Sequence, residues 1–224
     1  MNSEKLGLTL FDIVGFLLPG YVLIFCISLI EATFLNSGYV SMQNIGDNWF
    51  FFTILAYFCG HICHNIASMV KSRFFQHLGN KKYRLNGKIV EKVTATLAET
   101  YNLNSKDINS MNTLDMYLLA DSYVVSRGGG EERSSLLVRE GFHKSVTTAF
   151  GVLFLTFLSS NFAGGVKFRL DDNTINSFNL VVSNIFAGFS LALFFLFANR
   201  FVFYNRMKIN NTYLLFLAYR EKEK

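Results

Sequence analysis

The sequence predicts an all-α integral membrane protein: four transmembrane helices plus a small helical cytoplasmic region. Three observations predict it. Of its 224 residues, 51% are hydrophobic, 25 are phenylalanine, and the mean hydropathy is +0.29; an ordinary soluble domain is less apolar. Four apolar runs meet the roughly 20 residues that a bilayer-crossing helix requires. The chain has one proline, Pro19, so little interrupts long helices. The formal net charge of +5 would hint at nucleic acid in a soluble protein. Here basic residues are the usual flanks of spanning helices, and no double-stranded DNA partner is expected.

The first run is 8–30, with Asp12 near its start and Pro19-Gly20 at its middle. The segment before it carries one lysine against one glutamate. A secretory signal has a more basic start and a shorter apolar core, so an uncleaved spanning helix is expected. The second run is 49–70, the third 146–166 and the fourth 179–199. Thr147, Thr148, Ser159, Ser160 and Asn161 dilute the third. The expected organisation is therefore 1–70 for the first two spans and their short external loop, 71–145 for a helical cytoplasmic domain, 146–199 for the last two spans, and 200–224 for a cytoplasmic helical tail.

Loop charge sets the orientation. The segment 31–48 has no lysine or arginine, and the loop after the third run has only Lys167 and Arg169. The segment 71–145 has twelve: Lys71, Arg73, Lys81, Lys82, Arg84, Lys88, Lys92, Lys106, Arg127, Arg133, Arg139 and Lys144. Basic loops stay inside, which places both termini and the middle segment in the cytoplasm.

Within the middle segment, Ile89, Val93, Leu97 and Tyr101 recur every four residues, an amphipathic-helix pattern. A second helix is predicted over 113–125, capped by Asn112, with Leu114, Tyr117, Leu118 and Val125 as its apolar side. Gly128-Gly129-Gly130 predicts a corner. A third helix over 131–145, with Leu136, Leu137 and Phe142 as its apolar residues, can run directly into the third span. The aromatic tail 200–220 has two arrangements open to it. It extends the fourth helix and docks on the middle segment, or it lies along an anionic membrane surface.

The second run carries the candidate site. His61, His64, Asn65 and Ser68 fall at i, i+3, i+4 and i+7, one face of a helix. Polar groups in a span are costly unless they face other helices or water. Three readings stand: a polar seam that fixes helix packing, the lining of a water-filled path or a protonation switch, and a metal site. The metal would need ligands from elsewhere, with Asp12 and Glu31 as the acidic candidates; none is expected, and no cofactor is expected. Asp12 lies about 6 Å from the inner end of its run and His64 about 9 Å from its own, at ~1.5 Å per residue. An Asp12–His64 pair is therefore geometrically allowed. Pro19 and Gly20 are hinge candidates, with a static kink as the alternative. A stripe on the axis of a ring belongs to a pore; a stripe packed within one bundle belongs to a scaffold.

On the cytoplasmic side, Lys71, Arg73, Lys81, Lys82, Arg84, Arg139 and His143 are ligand-binding candidates for RNA, a nucleotide or a lipid headgroup. Phe74, Phe75 and Tyr83 between them can stack on bases. The alternative is an interfacial anchor. Arg139 and His143 resemble the Arg-and-His pairs of HEPN-type ribonucleases, but three residues intervene here where that family has four to six. Arg73 and His77 share the short spacing. The sequence has no Walker loop, no HExxH and no GxSxG, and no enzyme activity is expected. Cys26, Cys59 and Cys63 all lie in apolar runs, so no disulfide framework is indicated.

The run FDIVGFLLPGY (11–21), AYFCGH (56–61) and the aromatic, Arg-bearing tail (200–220) together resemble a loose group of small four-span bacterial membrane proteins. These are similar to accessory or effector proteins of antiviral defence operons, including those accompanying type VI-B CRISPR systems. The resemblance implies a homo-oligomeric effector or pore in the bacterial inner membrane that permeabilises it. Its trigger would be a cytoplasmic sensor protein or an RNA or nucleotide. The alternative is a membrane scaffold or regulator that does not conduct.

Overall fold

The computed structural model describes residues 3–35, 40–69, 86–171 and 174–223. It is helical almost throughout. α1 spans Ser3–Ile30 and continues as a π-helical turn, Glu31–Leu35. α2 is Met42–Asp47, α3 Trp49–Met69, α4 Gly87–Tyr101, α5 Ser105–Ser110, α6 Thr113–Ser126, α7 Gly130–Ser159 and α8 Leu180–Lys222. Two short antiparallel strands, β1 (Lys167–Arg169) and β2 (Ile175–Ser177), pair with Phe168 opposite Asn176. Four helices are long and apolar enough to cross a membrane, over Gly15–Leu35, Trp49–Met69, Ser135–Ala163 and Leu180–Lys222. The chain divides into two units, Met1–Phe75 with Gly141–Phe201, and Gln76–Glu140 with Val202–Lys224.

In the first unit, α1 and α3 cross with their backbones in contact. A methyl group on Gly20 would stand 1.6 Å from the Ala56 carbonyl oxygen, and one on Gly60 would stand 2.0 Å from that of Phe16. Only glycine fits at either point. Ala56, Cys59, Gly60, Cys63 and Ala67 form the buried face of α3, a stripe of small residues that lets two helices approach closely. The Cys63 thiol donates to the Pro19 carbonyl, and the Tyr21 hydroxyl meets Thr53 Oγ1 at 2.5 Å. On another face of α3, Phe50, Ile54, Phe58, Ile62 and Ile66 are exposed at four-residue spacing, a surface suited to lipid chains.

α7 and α8 pack through aromatic rings instead. Phe150 stacks on Phe197 at 5.7 Å and Phe157 on Phe186 at 5.5 Å. Cys26 and Leu29 of α1 join Leu153 and Phe157 of α7, Val166, and Ala187 of α8 in one apolar cluster. The end of the unit beyond this cluster is held by hydrogen bonds. The Glu31 carboxylate accepts from the Val40 amide at 3.0 Å, and Ser28 donates to the Val40 carbonyl at 2.6 Å. Thr33 Oγ1 accepts from the Lys167 amide at 3.0 Å, and the Gln43 amide donates to the Leu170 carbonyl at 2.9 Å. The third helix ends earlier than expected, at Ser159 with a 3₁₀ turn to Ala163. Gly164 and Gly165, with φ of 79° and 133°, then turn the chain into β1.

The second unit is a small helical body. Val93 and Leu97 of α4, Tyr117, Ala120 and Val124 of α6, and Tyr213 and Phe216 of α8 make its core, with Ile89 and Tyr101 packed against it. Burying a large apolar side chain contributes about 1.5–3 kcal/mol, so Tyr213 and Phe216, both fully buried, secure the end of α8. Of the two arrangements open to 200–220, the structure has the helical extension docked on α4 and α6. Asn112 caps α6 through a capping box with Asp115. The expected apolar side of α6 is corrected: Leu114, Leu118 and Val125 are exposed. The buried face runs through Tyr117, Ala120, Asp121 and Val124 instead. These share the i, i+3, i+4, i+7 pattern that meets both partner helices, while Leu114, Leu118 and Val125 lie off it.

Candidate functional site

The site is built on α3. Its stripe lies beside the buried small-residue face, so the α1 crossing sets where the imidazoles stand. His61 lies on the ring of Phe16 from α1, with centroids 3.9 Å apart and planes 19° apart. Tyr57, one turn earlier, meets His61 edge-on at 4.7 Å. His64 also meets Phe16 edge-on, at 5.7 Å, and its Nδ1 is 3.2 Å from Ser145 Oγ on α7. The imidazole also lies over Gly141, where a methyl group would stand 3.4 Å from His64 Cε1, an ordinary contact. The Ser68 hydroxyl donates to the His64 carbonyl at 2.9 Å and accepts from the Lys144 ammonium. Asn65 is exposed.

The structure therefore brings His64 and Ser68 together with Lys144 and Ser145, both buried, at one end of the α3/α7 seam. His61 belongs to a different environment, the aromatic cradle of Phe16 and Tyr57. The four stripe residues share a helix face but not one set of partners. Ser145 is fully buried and also donates to the Gly141 carbonyl at 2.9 Å, which fixes its oxygen toward His64. Lys144 is itself buried and extends its amine to Ser68, as long basic side chains do near the end of an apolar helix.

Asp12 lies on α1, one turn before Phe16; its side chain, and so an Asp12–His64 pair, lies outside the described residues. So do Lys71, Arg73, Lys81, Lys82, Arg84 and His77. Pro19 and Gly20 lie in an unbroken α1, and the geometry at Gly20 is a packing contact. Arg139 in the second unit sits over the Tyr204 ring at 5.9 Å. His143 in the first packs edge-on against Phe197 at 5.7 Å. Among the described residues, no three of His, Cys, Asp and Glu gather as metal ligands.

A second polar centre lies in the second unit, and sequence reasoning missed it. The Lys208 ammonium donates to Glu140 at 2.6 Å with both side chains almost wholly buried, and lies 5.1 Å from the centre of the Tyr117 ring. A carboxylate and an ammonium that far apart in sequence carry no local signal. Lys144 and Ser145 were legible only as basic and polar residues at the start of a span. No family model, no curated protein and no solved structure matches the chain.

Proposed function

We propose that the chain is a multi-pass protein of a bacterial inner membrane, with both termini and 71–145 in the cytoplasm. In this reading it is a membrane scaffold or regulator that does not conduct in the state described. The observation that supports it best is the seat of the polar stripe. His61 is cradled by Phe16 and Tyr57, and His64 and Ser68 are held by Ser145 and Lys144 of the same chain. Polar side chains satisfied within one chain have no need of an aqueous axis. The resemblance in 11–21 and 56–61 supports a role in antiviral defence. The helical second unit would receive a sensor protein, an RNA or a nucleotide.

A second reading is the oligomeric pore that permeabilises the membrane. One observation favours it: the seam is closed by polar side chains, with Asn65 and Ser68 on its exposed edge. Dye release from vesicles of bacterial polar lipid separates the two. The scaffold reading expects no release above the protein-free rate. Release that disappears with His64→Ala would overturn it in favour of the pore.

A further inference from the structure

The first unit has one interface locked at backbone level and another closed by side chains. We propose that α1 and α3 form one fixed body, and that the unit opens by splaying at the α3/α7 seam around a pinned hairpin end. The inference deepens the regulator reading and requires only that the protein be membrane-embedded.

The fixed body follows from the crossing. Gly20 meets the Ala56 carbonyl and Gly60 meets that of Phe16, leaving no room for even a methyl group. Cys63 and Thr53 of α3 add contacts to Pro19 and Tyr21 along the same line. Interfaces packed this closely have discrete arrangements and do not deform continuously. The pin follows from the other end. There, Cys26, Leu29, Leu153, Phe157, Val166 and Ala187 share one apolar cluster. Thr33 bonds to the backbone of the first residue of β1, and Gln43 to that of the residue just after it.

The Ser68 end is different. Every described contact between α3 and α7 there runs through a side chain of α3: His64 on Ser145 and over Gly141, and Ser68 on Lys144. Between α7 and α1, the Phe142 ring lies 3.8 Å from where a methyl group on Gly15 would stand, again a side-chain contact. Polar contacts between helices in a membrane are worth little net, because their members find other partners when separated. Water entering from the near end of the span can replace each of them. Separation at this end exposes His64, Ser145 and Lys144 together, which is what a switch requires: one motion that changes the environment of several polar groups.

Spin-label distances in vesicles test this, on a chain with Cys26, Cys59 and Cys63 replaced by alanine. Three label pairs are needed. Ile13 with Ile62 spans the α1/α3 crossing, Trp49 with Phe162 reports the hairpin end, and Ile66 with Thr148 spans the seam near Ser68. The first two pairs are expected to give one narrow distance each, and the third two resolved distances. One narrow distance for Ile66 with Thr148 would overturn the proposal, as would two distances for Ile13 with Ile62. The readout does not depend on conductance. Silent vesicles with two distances at the seam would remove the pore and keep the joint, whereas leaking vesicles with one distance would do the reverse.

Discussion

Replacing Gly20 by alanine would place a methyl carbon 1.6 Å from the Ala56 carbonyl oxygen. An ordinary close C···O contact is about 3.3 Å or more, so the helices must part by roughly 1.7 Å at the crossing. A radial gap of only 0.5–1 Å already forfeits about a quarter to a half of each packing contact. The loss therefore extends along the small-residue stripe, through Ala56, Cys59, Cys63 and Ala67. Overpacking typically costs about 1–3 kcal/mol; here the obstacle is backbone, which cannot rotate away, and the expected loss is at or above about 3 kcal/mol. Gly188 is the control, because a methyl group there would meet nothing within 4 Å. Gly188→Ala should be neutral or gain up to about 1 kcal/mol from helix propensity. Thermal unfolding in detergent, followed by a thiol-reactive dye, suits the question because Cys26, Cys59 and Cys63 are all buried and free. Equal unfolding temperatures for Gly20→Ala and Gly188→Ala would refute the backbone crossing.

Two further predictions concern other parts of the chain. Lys208→Met or Glu140→Leu alone leaves one buried charge without its partner and should cost about 3–5 kcal/mol. Glu140→Leu with Lys208→Met removes both charges and should cost far less; denaturation of the three variants checks this, and additive losses would contradict a coupled pair. Trp49 is the one tryptophan and is 66% exposed at the start of α3. In vesicles its fluorescence should be quenched most by lipids brominated near the headgroup, as expected for an interfacial ring. Quenching by aqueous iodide as strong as for free tryptophan would place it outside the bilayer boundary.

The helices were legible because their signals are local. Long apolar runs, the four-residue spacing from Ile89 to Tyr101, and Asn112 before α6 each depend on neighbours within a few positions. The apolar side of α6 was misread because Leu114 and Leu118 are the more hydrophobic residues. The helix buries the face carrying Ala120 and Asp121, chosen by its partners rather than by hydropathy. The β-hairpin was missed because its strands are three residues each, too short for a periodic pattern. At the candidate site, the stripe itself was readable from spacing, while its partners were not. Ser145 lies 81 positions from His64, and Lys144 lies 76 from Ser68. Gly20 and Gly60 stood out only as residues that loosen or resemble. Their role as a crossing requires both helices at once.

The central claim is that His61 and His64 are covered by partners of their own chain, while Asn65 and Ser68 lie on the exposed edge of the stripe. Single cysteines at 61, 64, 65 and 68, on a background with Cys26, Cys59 and Cys63 replaced, report it through a membrane-impermeant thiol reagent added to both faces of vesicles. Labelling at 61 and 64, where Phe16, Tyr57 and Ser145 partly cover the side chains, should be at least tenfold slower (roughly one 1.4 kcal/mol step) than at the exposed positions 65 and 68. Equally fast labelling at all four positions would show one water-filled face and contradict that covering.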